Sequence, residues 1–252
     1  MTPTLRTVGL SKQWGAFRAN SDISLSFPPG ARHGLIGPNG AGKTTFINLL
    51  TGLLAPTSGE VFLGEANITR LAQHARVKRG ITRTFQINTL FPGLSVMESI
   101  MLAVAEREGR GAVWHRSVMS ERAAADEAWD LMTRLRIAGQ ASTLTRNLAY
   151  GKQRLVEIAL ALATRPSILL LDEPAAGVPK GESSELFSAI EELPADVTIV
   201  FIEHDMDIVF RFAQRITVLV GGSVLAEGTP AEIAADPQVK AVYLGETEVR
   251  HG

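Results

Sequence analysis

The amino-acid sequence predicts an α/β fold: a parallel-sheet core, a small antiparallel β part beside it, and a helical lobe inserted between two halves of the core. Three observations carry that expectation. Short, almost wholly apolar runs, Ile168–Leu171 and Thr198–Ile202 among them, alternate with helical stretches, as in a parallel sheet covered on both faces. From about residue 95 to 164 the chain is dominated by Ala, Leu, Glu and Arg in long proline-free stretches. The run Gly34–Ile36 breaks directly into the glycine-rich GPNGAGKTT, and apolar residues then recur at helical spacing.

Taken along the chain, the turn-rich PTSGEVFLGEANITR at 56–70 and the residues around 7–27 suggest the antiparallel sheet. Residues 34–36 are a strand and 37–45 a loop, followed by a helix carrying Phe46, Leu49, Leu50 and Leu53. Helices are expected at 96–106, 120–136 and 152–164, with Gly109-Arg110-Gly111 marking a loop. The core resumes with a strand at 168–172, a helix at 182–192, and strands at 198–202 and 216–220. The whole chain, 1–252, is therefore expected to be one unit. Its core comprises 1–90 and 165–230, its helical part 91–164, and its tail 231–252.

Composition bounds the function. Apolar residues make up 45% and charged residues 20% of the 252, a globular balance. Lys plus Arg is 25 against 26 Asp plus Glu, so no global field recruits nucleic acid, and no nucleic-acid partner is expected. There is no cysteine, which removes disulfides, thiolate zinc sites and cysteine nucleophiles together. The start lacks the basic-then-apolar layout of a secretory signal, and the apolar runs fall far short of the roughly 20 residues that span a bilayer. Any membrane association is expected to be through a partner.

Residues Gly37-Pro38-Asn39-Gly40-Ala41-Gly42-Lys43-Thr44 fit G-x-x-x-x-G-K-[ST], with a strand before and a helix after. Glycines let successive backbone N–H groups turn toward phosphate oxygens, and the helix N-terminus adds favourable partial charge. Lys43 would reach the outer phosphates of ATP, and the Thr44 hydroxyl would ligate Mg²⁺. The strand ending in Asp172-Glu173 supplies a second requirement: Asp172 to hold Mg²⁺ and its water shell, Glu173 to polarise the attacking water. His204 follows the next apolar strand, and parallel topology brings that strand end toward Asp172.

These motifs, with RTFQ at 83–86, LAYGKQR at 148–154, LLLDEP at 169–174 and EHD at 203–205, resemble the ATP-binding cassette subunits of ABC transporters over essentially the whole chain. Kinases and small GTPases share only the phosphate loop. The resemblance implies a RecA-like P-loop NTPase core and an ATP-hydrolysing enzyme. It implies that Ala149, Tyr150, Gly151 and Lys152 cap the nucleotide held by Gly37–Thr45 of a second cassette, head to tail, and that His204 contacts the γ-phosphate. Gln86 would sense Mg²⁺ and the attacking water. Trp14 aligns with the residue that stacks on adenine, with Phe17 a rival. The apolar, turn-rich 88–94 looks like a receiver for a transmembrane permease subunit.

Within that family the closest likeness is to ATPase subunits of branched-chain amino acid importers, on LAYG, DEPAAG at 172–177, EHDM at 203–206 and EGTPAEIAADPQVKAVYLGE at 227–246. Importers of urea, amides or aromatic acids use similar cassettes. A soluble cassette ATPase of DNA repair or translation is the alternative from another class. The implied location is the cytoplasmic face of a bacterial plasma membrane. Three departures stand out: Ala149 where serine is commoner, Lys152 in place of glutamine, and Val178-Pro179-Lys180 where the subgroup has leucine, asparagine, proline.

Overall fold

The computed structural model describes residues 2–84, 90–109 and 122–242. Gln86, Asn88 and Thr89, the Arg110-Gly111 part of the glycine loop, and the tail beyond 242 lie outside the described residues.

The antiparallel sheet is built on β1 (Leu5–Trp14), which pairs with β2 (Phe17–Ile23), β3 (Ser26–Phe27) and β5 (Ser58–Leu63); β6 (Ala66–Asn67) extends it beside β5. The second sheet has six strands, β4 (Arg32–Ile36), β7 (Ile81–Arg83), β8 (Ile168–Asp172), β9 (Thr198–Ile202), β10 (Arg215–Val220) and β11 (Ser223–Gly228), in the order β11-β10-β4-β9-β8-β7. Every pairing from β10 to β7 is parallel, and only the edge strand β11 runs antiparallel.

Side-chain alternation along these strands divides the interior into two cores. Leu169, Leu171, Ile199, Phe201, Ile216 and Val218 face one, whereas Ile168, Leu170, Val200, Ile202, Leu35 and Leu219 face the other. The first is shared with the helical lobe and with α6 (Lys180–Glu191) and α7 (Met206–Phe212). The second holds α1 (Lys43–Thr51), through Phe46, Ile47, Leu49 and Leu50, and the inner face of the antiparallel sheet. Such doubly covered strands explain why the sequence shows continuous apolar runs here, with no alternation to betray a wet face.

The lobe consists of α3 (Val96–Arg107), α4 (Arg122–Arg134) and α5 (Tyr150–Ala163). Helix α3 begins at a capping box: Ser95 accepts from the Glu98 amide, and the Glu98 carboxylate accepts from the Ser95 amide. In α4 the buried positions Ala124, Ala128 and Met132 repeat every fourth residue, so one stripe faces inward and the remainder stays wet. The short α2 (Gln73–Val77) precedes β7, and α8 (Pro230–Ala235) buries Ile233 after β11.

The parallel order sets the functional geometry. The carboxyl ends of β4, β9, β8 and β7 lie side by side on one edge of the sheet, where open α/β folds place their ligands. The loops that start at residues 37, 173 and 203 are therefore delivered together.

Candidate nucleotide site

The first loop follows β4. Gly42 is the N-cap of α1 at φ 94°, and a Cβ there would collide with the backbone carbonyl of Ala19 on β2. Only glycine allows that left-handed turn and that approach together. Asn20 Nδ2 donates to the Gly42 carbonyl at 3.2 Å, fastening the loop to β2. Helix α1 has no side-chain cap and no acid in its first turn, so its N-terminal amides are compatible with an anion. Lys43, 6% exposed, donates through Nζ to the carbonyls of Gly37 (2.6 Å) and Pro38 (3.0 Å), which draws the ammonium across the loop.

The second loop follows β8, whose five residues are all buried. Asp172 ends the strand with its side chain wholly buried; Oδ2 accepts from Arg83, and Oδ1 has no hydrogen-bond partner. Burial pushes the Asp172 carboxyl up, with Arg83 and Lys43 opposing. Glu173 stands at φ 50° and its carboxylate accepts from Nε2 of His204 at 2.8 Å. His204 leaves β9 and is followed at once by Asp205, which caps α7 by accepting from the amides of Asp207 and Ile208.

Glu203 was quoted in the sequence only as part of EHD. It is buried, and its carboxylate accepts from the Ala175 amide (2.8 Å) and the His204 amide (3.2 Å), joining the turns after β8 and β9. Burial raises its pKa, and the two backbone bonds work against that rise. Arg83 and Glu203 are the polar residues at this edge that sequence reasoning left without a role. Their only signal was membership of quoted motifs.

Trp14 and Phe17 close the β1–β2 hairpin as cross-strand partners, with ring centroids 6.4 Å apart and planes at 16°. Both rings are exposed, and the two supposed rivals form one stack on the strand pair that abuts the phosphate loop.

Ala149 is the N-cap of α5, exposed and without a side-chain cap. Gly151 is buried, and a Cβ there would sit 2.5 Å from Glu182 Oε2, so α5 and α6 meet closely at that point. The Tyr150 hydroxyl accepts from Arg154 at 2.7 Å, and its ring lies against Gly177. Lys152 pairs with Glu185 on α6 at 3.5 Å, which turns this departure from the usual glutamine toward its own subunit. Pro179 N-caps α6, its carbonyl accepting from the amides of Glu182 and Ser183. Leu90 packs on the core, whereas Phe91 is exposed, its carbonyl accepting from the Thr145 hydroxyl at 2.6 Å.

A small cavity of about 200 Å³ lies against Glu173, Glu203 and His204. A larger one, about 760 Å³, opens instead between the core and the helical lobe, where His74, Lys78, Arg107, Glu157 and Leu160 line it. Size does not locate the chemistry: that cleft reaches the sheet edge only at Thr82–Thr84, and the glycine loop, the acid pair and His204 are not among the residues that line it.

Residues 20–176 match the family described as ABC transporter, and residues 223–249 match the one described as branched-chain amino acid ATP-binding cassette transporter. The chain is 40% identical over 253 aligned positions to the high-affinity branched-chain amino acid transport ATP-binding protein LivG of Salmonella typhimurium, covering 97% of this chain and 98% of LivG. Among solved structures it is similar to the ADP conformation of MJ1267, an ATP-binding cassette of an ABC transporter, with a TM-score of 0.85 at 30% identity over 97% of this chain and 100% of that one. It also resembles the dimeric post-hydrolysis state of the cassette MJ0796 bound to ADP and Pi, with a TM-score of 0.74 at 25% identity over 90% of this chain and 98% of that one.

Proposed function

The chain belongs to the ATP-binding cassette family of ABC transporters, and from that premise we propose that it is the ATP-hydrolysing subunit of an importer of branched-chain amino acids. One observation carries the reading of the site. The phosphate loop, His204 and the Asp172-Glu173 pair emerge from three adjacent parallel strands, β4, β9 and β8, with Glu173 and His204 already hydrogen-bonded to each other.

In this reading the amides of 37–45 and the Lys43 ammonium bind the phosphates. The residues fit a divalent cation: Asp172 keeps one buried carboxylate oxygen without a partner, and Thr44 stands at the first turn of α1. Such oxygen donors suit Mg²⁺, which when bound neutralises charge on the phosphate oxygens. Glu173 orients and polarises the attacking water, and His204 holds that carboxylate while facing the γ-phosphate. Gln86 has the part of sensing metal and water. The Trp14–Phe17 stack offers a flat apolar face to adenine, Trp14 with the larger ring.

The uncapped start of α5 supports a partner role for Ala149–Lys152: amides left open at a helix end are met best by an anion held on another copy. That the similar cassette MJ0796 is dimeric with ADP and Pi bound supports pairing of two such chains. Among the described residues no helix is long and apolar enough to cross a membrane. In this reading transmembrane permease subunits complete the machine at the cytoplasmic face of a bacterial plasma membrane, and they dock on the apolar, turn-rich 88–94, where Phe91 is exposed.

The variant Glu173→Gln tests the chemistry. ATP affinity should persist while steady-state hydrolysis falls by about 10²-fold or more, since a general base contributes on that order. Wild-type turnover in this variant would remove Glu173 from its role.

A further inference from the structure

The last residue of β7 makes contacts that no role above uses. Arg83 lies three positions before Gln86, its side chain 8% exposed, between the phosphate-loop helix and the strand that carries the acids. One terminal nitrogen donates to Oδ1 of Asn48 on α1, and the other donates to Oδ2 of Asp172. A guanidinium is a rigid planar fork, so two acceptors held this way are fixed in direction as well as in distance.

The consequence falls on Asp172. With Oδ2 clamped, the carboxylate cannot turn, and Oδ1 stays buried and without a partner. A lone acceptor in a dry site is costly unless something positive is to meet it there. The clamp also spans three elements: β7, which runs on toward Gln86; α1, whose first turn holds Lys43 and Thr44; and the end of β8.

We infer that Arg83 is a positioning residue for the metal-dependent step: it locks Asp172 against Asn48 so that Oδ1 is presented to the divalent cation that accompanies ATP. This rests on the reading of Asp172 as the acceptor for Mg²⁺ and its water shell. Arg83 touches neither nucleotide nor metal, and its effect passes wholly through Asp172.

The sign of the effect separates positioning from plain electrostatics. Deleting a cation beside a metal site leaves more negative charge, which by itself tightens Mg²⁺; losing an orienting partner weakens it, by about 10–100-fold for partners of metal ligands. The experiment uses the purified full chain and a fluorescent ATP analogue, titrated in excess EDTA and across a range of Mg²⁺. Arg83→Met should leave the EDTA affinity unchanged and raise the Mg²⁺ midpoint by about 10-fold or more. Asn48→Ala, which frees the other end of the fork, should shift the midpoint the same way by less. Arg83→Lys keeps the charge but cannot bridge both acceptors, so it too should be shifted.

A midpoint that is unchanged or lowered overturns the inference, as does an equal loss of affinity with and without Mg²⁺, which would mark Arg83 as a structural tie alone. If Arg83→Met fails to give a cooperative melt, Arg83→Lys and Asn48→Ala carry the same test. A wild-type chain whose ATP affinity ignores Mg²⁺ would instead sink the metal reading of Asp172, and the clamp with it.

Discussion

His33 shows how much a single buried group can decide. It is fully buried on β4, its Nε2 bonds the Thr217 hydroxyl at 2.7 Å, and Phe27 meets the ring edge-on. Burial, with Arg215 nearby, lowers its pKa to about 4, so the folded chain keeps it neutral while the unfolded chain protonates near the ordinary value of about 6.5. Between those two pH values the unfolded state binds the extra proton, so stability falls as pH falls, by up to about 3 kcal/mol in total. Asp172, Glu157 and Glu203 act in the opposite sense, since burial raises their pKa values and the folded state takes up protons first. Comparing urea denaturation of wild type and His33→Gln at pH 7.5 and 4.5 isolates the histidine: the variant should lose clearly less stability on acidification. Equal losses would show that His33 does not titrate as its burial demands. Nothing in the sequence around His33 announces this, because its partners lie on β3 and β10. Lys43, Thr44, Asp172 and Glu173 were legible because a local motif dictates their backbone. Arg83 and Glu203 were not, since each matters only through a group brought opposite by the sheet order.

At the scale of elements, the period of apolar residues predicted the strands and helices well wherever an element is long or buried on both faces. The helix expected at 182–192 begins at Lys180, because Pro179 supplies a ready N-cap turn just upstream. Strand β11 escaped notice: Ser223–Gly228 is an edge strand with two exposed and three half-buried residues, so neither a continuous apolar run nor a clean alternation marks it. Helix α1 is the element on which the site depends most, and its start is set by Gly42. Gly42→Ala places a Cβ at φ 94° against the Ala19 carbonyl, at a cost of about 1–3 kcal/mol. The start of α1 must then move away from β2, taking the loop amides with it. The expected result is a lower melting temperature together with weaker nucleotide binding. Unchanged binding in a destabilised variant would mean that the loop's shape does not depend on its fastening to β2.

For the whole molecule, the two candidate nucleotide-contacting surfaces have different anchors. The phosphate loop is fastened to β2 and β4, whereas the Ala149–Lys152 turn is fastened to α6 and to Gly177. A chain that closes its own site has no need of an exposed, uncapped helix start on the helical lobe. In the proposed head-to-tail pair that start would meet an anion on the other copy, and an interface forming with ATP and opening after hydrolysis would convert chemistry into motion of the proposed permeases. Absence of cysteine makes the arrangement easy to test, because introduced thiols are the only ones present. On a Glu173→Gln background, Asn39→Cys combined with Ala149→Cys should give a covalent dimer with a short bismaleimide when ATP and Mg²⁺ are added. Neither single cysteine should do so, since both positions are exposed yet each would face an unmodified surface of the other copy. A monomer at every nucleotide concentration would refute the shared site while leaving the fold and the family untouched, and the closing force of the transporter would have to come from elsewhere.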